Sequence, residues 1–298
     1  MLVTASWLRV GSMEAYLRRR IVRIVPCFVV AVAFTCLLTL ALCPEFRAAV
    51  VVSTWFRQIA GDMLGLSDRS LRWPEQFGKN PLSGVANGSL WTIAKEFQCY
   101  VLVAVFGLLA MFKRRRLLLA VTVGVWGYFA WTILSGVDTS FLDRRLLVYF
   151  LFGVCTWLWR DRIRISLACA FVGVLLLLAL SQFEPWLTVS FPLVGGYLTL
   201  CLAFGPPWRA FRWTEQNDLS YGVYLYAFPL QQAVATVPGL RDPWLALAVS
   251  VPLALVAALA SWLLVERPSL RLKSFRPTDW DPAADNHGAN RPMPSKRK

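Results

Sequence analysis

Eight apolar runs limit what this chain can become. They fall near 26–43, 97–112, 117–135, 146–159, 165–182, 188–204, 219–237 and 244–264. Several approach the ~20 residues that a helix needs to cross the hydrocarbon core of a bilayer. Inside lipid every backbone N–H and C=O must find an internal partner, so spanning segments are helices or closed barrels. The period-2 alternation of barrel strands is missing here, which leaves helices. The expectation is an all-α, polytopic transmembrane bundle of about eight spans. Composition agrees: 57% of the 298 residues are hydrophobic, above the roughly 45–50% of soluble domains.

Charge then orients the bundle. Lys and Arg number 31 against 17 Asp and Glu, for a net charge of +14. On a soluble protein that excess would suggest nucleic acid. Here the basic residues gather at every second membrane exit: Arg18–Arg20 with Arg23, Lys113 with Arg114–Arg116, Arg160 with Arg162 and Arg164, Arg209 with Arg212, and Arg267 with Arg271 and Lys273. Positive residues collect in cytoplasmic loops. The pattern predicts a multi-pass protein of the inner cell membrane with both termini cytoplasmic; Arg144 and Arg145 are the exceptions. No nucleic-acid motif is present, so the expected surroundings are a lipid bilayer and not nucleic acid. The first apolar stretch follows arginines as in a signal peptide. It is longer than the usual ~7–15-residue apolar region of such a peptide, and no small-x-small cleavage site follows, so it is read as a retained helix.

Residues 44–90 form the largest predicted outside loop. Within it, Val52, Trp55, Phe56, Ile59, Ala60 and Met63 repeat at helical spacing opposite Ser53, Arg57, Gln58 and Asp62. That pattern predicts an amphipathic helix lying in the interface, with a ninth span over about 48–66 as the alternative. A membrane domain is expected over 1–274, followed by a polar, Pro-rich cytoplasmic tail, 275–298, that cannot build a core. The cysteines number seven, lie mostly in apolar runs and show no metal or C-x-x-C spacing. Neither a disulfide framework nor a metal site is expected; they read as small buried hydrophobes.

Four segments break the apolar pattern in ways that suggest chemistry. In N-G-S-L-W-T-I-A-K-E-F-Q-C-Y (87–100), the Asn-Gly-Ser turn offers an N-cap for a helix starting near Leu90, with Ser89 in the turn and Trp91 as an interface anchor. Glu96 and Tyr100 are four apart and share a face. Glu96 then lies roughly 9 Å inside the helix start, where a carboxylate is costly and faces the bundle interior. It is read as a catalytic or acceptor-orienting acid, with an interfacial ion pair as the plainer alternative. Lys95 points to a different face and reads as an interfacial charge. Arg20 and Arg23, three apart in R-R-R-I-V-R-I-V-P, share a helical face. Topology alone accounts for several arginines, but the guanidinium fork also suits phosphate. In N-D-L-S-Y-G-V-Y-L-Y-A-F-P (217–229), Tyr221 and Tyr224 share a face and Pro229 is placed to kink the helix and expose backbone to a cavity. V-E-R-P (265–268) ends the last span in a charged pair before a proline.

Together these segments resemble the acyltransferase-3 family, integral-membrane O-acyltransferases of bacterial surface sugars. The resemblance is carried by R-R-R-I-V-R-I-V-P (18–26), N-P-L-S-G-V-A-N-G-S-L-W-T-I-A-K-E-F-Q-C-Y (80–100), R-R-L-L-V-Y-F-L-F-G-V (144–154), D-L-S-Y-G-V-Y-L-Y-A-F-P (218–229) and V-E-R-P-S-L-R-L-K (265–273). It implies a helical bundle that moves an acyl group, typically acetyl, from acyl-CoA on the cytoplasmic side to a hydroxyl of a lipid-linked or polymeric glycan. Arg20 and Arg23 match positions expected to hold the donor's phosphates, and Glu96 matches the family's membrane-mouth acid. Ser89, Trp91, Tyr100, Tyr221 and Tyr224 fall in the matching motifs as substrate-binding candidates. No bound cofactor is implied beyond acyl-CoA as donor substrate.

Two departures bear on activity. The resemblance begins in what looks like the second helix of the family's opening pair, and Ala227 stands where a His often precedes the later F-P. The one histidine, His287, lies in the tail. Acyl transfer to an alcohol wants a base near the working pH, which His supplies most readily. The expectation is an N-terminally truncated chain, with a degenerate copy or relocated chemistry as alternatives, and an enzyme that is weak or inactive as it stands. Two competing functions are a non-catalytic glycolipid-binding remnant and, against the lack of internal repeats, a transporter.

Overall fold

The computed structural model describes residues 2–10, 12–43, 71–72, 77–137, 141–204 and 218–271. The predicted amphipathic segment of 48–66, the basic residues Arg209, Arg212 and Lys273, and the tail with His287 lie outside the described residues. The helices are α1 (Leu2–Val10), α2 (Met13–Leu42), α3 (Trp91–Leu108), α4 (Arg115–Leu134), α5 (Phe141–Leu158), α6 (Leu167–Leu180), α7 (Glu184–Phe204), α8 (Ser220–Ala235) and α9 (Pro243–Ser261). A π-helical turn, Trp262–Glu266, joins α9 to a last short helix, α10 (Arg267–Arg271). All eight predicted apolar runs are helical. By length and composition, however, five candidate spans are found among the described residues: α2, α3, α4, α7 and the continuous Pro243–Arg271. Helices α6 and α8 are shorter. Among the described residues the strand structure is a two-stranded antiparallel pair, Leu71–Arg72 with Val85–Asn87.

Helix α2 organises one half of the bundle. Its Ile24, Cys27, Phe28, Ala31, Val32, Thr35, Cys36 and Thr39 are buried at steps of three and four, the signature of one continuous packed stripe. Thr35 and Thr39 donate to the carbonyls of Ala31 and Thr35, each at 2.8 Å, so their hydroxyls cost little in an apolar setting. Elsewhere small residues let backbones close up. A Cβ added at Gly222 of α8 would stand 2.8 Å from the Ala258 Cα of α9. At Gly107 of α3 it would collide with the indole of Trp7, which in turn meets Tyr16 edge-on at 5.1 Å. All seven cysteines are free thiols; five are buried as expected, but Cys99 is half-buried and Cys169 exposed.

Residues 77–90, part of the loop expected between the first two spans, are threaded along α8. Pro229 has no N–H, so the carbonyl of Leu225, four residues earlier, loses its helical partner. Asn87 supplies one: its Nδ2 donates to Leu225 O at 3.0 Å and to Thr35 Oγ1 at 3.2 Å. The backbone that Pro229 exposes is therefore closed by the loop. Seven residues further along α8, Gln232 Nε2 donates to the carbonyls of Leu82 (2.7 Å) and Val85 (2.6 Å). Asn80 Nδ2 donates to both Gln232 O (2.9 Å) and Gln232 Oε1 (2.8 Å). Between the Gln232 and Leu225 levels the loop descends about 10 Å at ~1.5 Å per residue. Helix α3 thus begins inside the bundle, and Glu96 sits beside the arginine-rich part of α2. The capping expectation is also revised: Leu90, already helical at φ −69° and ψ −28°, is the N-cap and makes no side-chain cap bond.

Candidate active site

A cavity of about 460 Å³ opens where α2, α3, α5 and α8 meet. Its polar lining comes from Arg23, Thr92, Lys95, Glu96, Ser220, Tyr221 and Tyr224, and its apolar wall from Ile24, Cys99, Leu146 and Phe150. Four of the sequence candidates, Arg23, Glu96, Tyr221 and Tyr224, therefore meet in one space from three different helices.

Glu96 is half-buried and accepts a short hydrogen bond from Tyr100 Oη, the partner that its four-residue spacing predicts. Tyr100 is itself fixed from behind: it is buried, and Tyr16 Oη donates to its carbonyl at 3.3 Å. Arg20 does not line the cavity. Its guanidinium lies 5.1 Å from the Tyr100 ring centre and 5.7 Å from that of Tyr16, within cation–π range. Its positive charge therefore reaches Glu96 through the ring that holds the carboxylate.

Arg23 faces the cavity and pairs with Asp218 Oδ2 at 2.8 Å. Both side chains are 42% exposed, so the pair is held loosely against solvent. Ser220 Oγ donates to Asp218 Oδ1 at 2.5 Å and steadies the acid. Tyr224 Oη donates to Ser89 O at 2.7 Å and meets Thr92 Oγ1, while Thr92 Oγ1 also donates to Ser89 O at 3.2 Å. Ser89 thus takes part through its backbone, with its N–H donating to Asn87 Oδ1 at 3.0 Å. Trp91 opens α3, half-buried, and lies outside the cavity lining. Tyr221 Oη is buried and has no hydrogen-bond partner among the described residues.

Several of these residues were not singled out from the sequence. Lys95, read as pointing elsewhere, lines the cavity beside Glu96; a helix start inside the bundle leaves room for both neighbours to face the same opening. Asp218 was visible only as part of a motif. Glu266 of V-E-R-P is buried in the π-helical turn, where Ser261 Oγ donates to its Oε1 at 3.3 Å. Buried carboxylates in apolar spans are rare enough to be a usable signal, and π-turns recur at functional sites. Among the described residues no three His, Cys, Asp or Glu side chains gather as a metal site would require.

The arrangement places a positioned carboxylate, two cations and an unpaired phenol around one cavity. Comparison with known proteins narrows what it serves. The chain is 29% identical over 206 residues to an O-acetyl transferase of Shigella phage Sf6, which covers 63% of this chain and 58% of the relative. It thus spans little more than half of that curated protein. No solved structure matches it. The sequence model of the acyltransferase domain family matches residues 1–266, nearly all of the membrane-embedded part, and the chain belongs to that family, acyltransferase-3.

Proposed function

We propose that the chain moves an acyl group, acetyl in the simplest case, from acyl-CoA to a hydroxyl of a cell-surface or lipid-linked sugar. The observation that carries this reading is the convergence of Glu96 with Arg23 and Lys95 on one cavity. The phage relative's O-acetyl transferase activity points the same way. In the proposed step Glu96 takes the proton of the acceptor hydroxyl as its oxygen attacks the thioester carbonyl carbon. The C–O bond forms, the C–S bond breaks, and CoA leaves as a thiolate that is then protonated. Tyr221 Oη, buried without a partner, is the available donor for the carbonyl oxygen as it gains charge. Arg23 and Lys95 hold donor phosphates, with Arg20 adding field from behind Tyr100. The donor enters from the arginine-rich end, which this reading assigns to the cytoplasm together with both termini.

Glu96 is the one carboxylate among the described residues that line the cavity, and in this reading it is the base. Loss of general-base catalysis typically costs about 10²–10⁴-fold. Glu96→Gln should therefore lower acyl transfer from labelled acetyl-CoA to membrane glycan by that order while CoA binding persists. Equal rates in the two proteins would overturn the reading.

A further inference from the structure

A second cavity, of about 320 Å³, lies at the opposite end of α8. It shares a face with the first. Tyr221 and Tyr224 line one cavity, and Phe228, Gln231 and Ala235 line the other, at the three- and four-residue steps of a single helical stripe. The two spaces are parted where the loop tip touches α8. Tyr224 Oη holds Ser89 O there, and a Cβ added at Gly88 would stand 2.6 Å from Phe228 Cε2.

The lining of the second cavity is specific. Gln232 is fully used in pinning the loop and serves as wall. Ser250 of α9 is 1% exposed, lines the cavity, and its Oγ has no hydrogen-bond partner among the described residues. A buried hydroxyl left unpaired is expensive unless a ligand or water completes it. Arg241 is the one charged residue in the lining. No acidic partner pairs with it among the described residues, because the neighbouring Asp242 caps α9, accepting from Trp244 N and Leu245 N at 3.0 Å each. Phe228 adds an aromatic face and Gln231 an exposed amide.

From this set we infer that the second cavity binds one acidic monosaccharide unit, apart from the sugar whose hydroxyl meets Glu96 in the proposed transfer. An aromatic ring suits the C–H face of a pyranose, Gln231 and Ser250 suit its hydroxyls, and Arg241 selects a carboxylate with no acid among the described lining residues to oppose it. The volume is at the small end for ligand sites, which fits a single ring and not a chain of them. Most of the lining is apolar, so a lipid tail is the competing occupant that the test must separate from a sugar.

The test uses the full chain purified in detergent, with the partly exposed lining residue Ala246 replaced (Ala246→Cys), alkylated by a small thiol reagent and read by peptide mass at position 246. Millimolar glucuronic acid should slow alkylation several-fold and glucose clearly less, and Arg241→Gln should erase the difference. No slowing by either sugar, equal slowing by both, or slowing by laurate alone would overturn the proposal, the last by assigning the cavity to lipid. Saturation-transfer NMR with the two sugars and the unsubstituted chain reads the same preference should Ala246→Cys fail to fold. CoA binding is measured in parallel. Lost CoA binding with intact glucuronate protection overturns the donor reading and upholds this cavity; the reverse result overturns only the cavity.

Discussion

Helices α6 and α8 are both short and apolar, yet they are held in opposite ways. Along α6 the side chains of Leu167, Phe171, Val172 and Leu178 are each more than 60% exposed, and Gly173 is its one buried residue. Its polar ties to α7 sit at one end, where Tyr197 Oη accepts from Ser166 N at 3.0 Å and donates to Arg164 O at 2.9 Å. Helix α8 is tied through its interior instead, by Asn80, Asn87 and the two amide ends of Gln232. One helix offers lipid a smooth surface, and the other is stitched to a loop. The stitched helix carries Tyr221 and Tyr224. Where the chain needs precision it spends hydrogen bonds, and where it meets lipid it relies on shape.

This contrast can be broken or sharpened by substitution. The largest effect should come from Gly222→Val, which drives a branched side chain into the Ala258 backbone and should destabilise the protein by about 3 kcal/mol. Gly124→Ala in α4, with nothing within 4 Å of the added Cβ, should be neutral or stabilise by up to about 1 kcal/mol. Thermal unfolding in one detergent compares the two. Asn87→Ala, which orphans the Leu225 carbonyl, should cost about 1–3 kcal/mol, whereas Leu175→Ala on the lipid face of α6 should stay within about 0.5 kcal/mol. Similar losses for both would erase the distinction drawn between the two helices. The smallest effect concerns ligand and not fold. Asp218→Asn frees Arg23 from its ion pair, and CoA affinity measured by calorimetry should rise a few-fold, within the ~1 kcal/mol of an exposed pair. Unchanged affinity would place the donor's phosphates away from Arg23.

The helices were legible because apolar length and period are local properties of sequence. The Glu96–Tyr100 pair was legible for the same reason, being one turn of one helix. Residues 77–90 were not. Their partners lie far away in the chain, 138 residues for Asn87 with Leu225 and 152 for Asn80 with Gln232, and nothing in the local composition of a Gly- and Asn-rich stretch distinguishes a threaded loop from an exposed one. The Lys95 assignment failed with it, since the depth of α3 follows from that loop. One clue was available: a proline inside a membrane helix leaves a carbonyl that some donor must meet, and an asparagine in a nearby motif was a candidate.

The bond between Asn87 and Leu225 also bears on how the protein is made. The ribosome releases the loop 138 residues before its partner carbonyl. Until α8 arrives, the loop has no ladder to grip, and α8 on arrival carries a bare carbonyl into lipid. The closure that satisfies both belongs to the end of biogenesis, after most of the helices have entered the bilayer. A nascent chain halted short of Ser220 would hold its early helices and lack the α8 walls of both cavities, so the membrane receives a finished site or none.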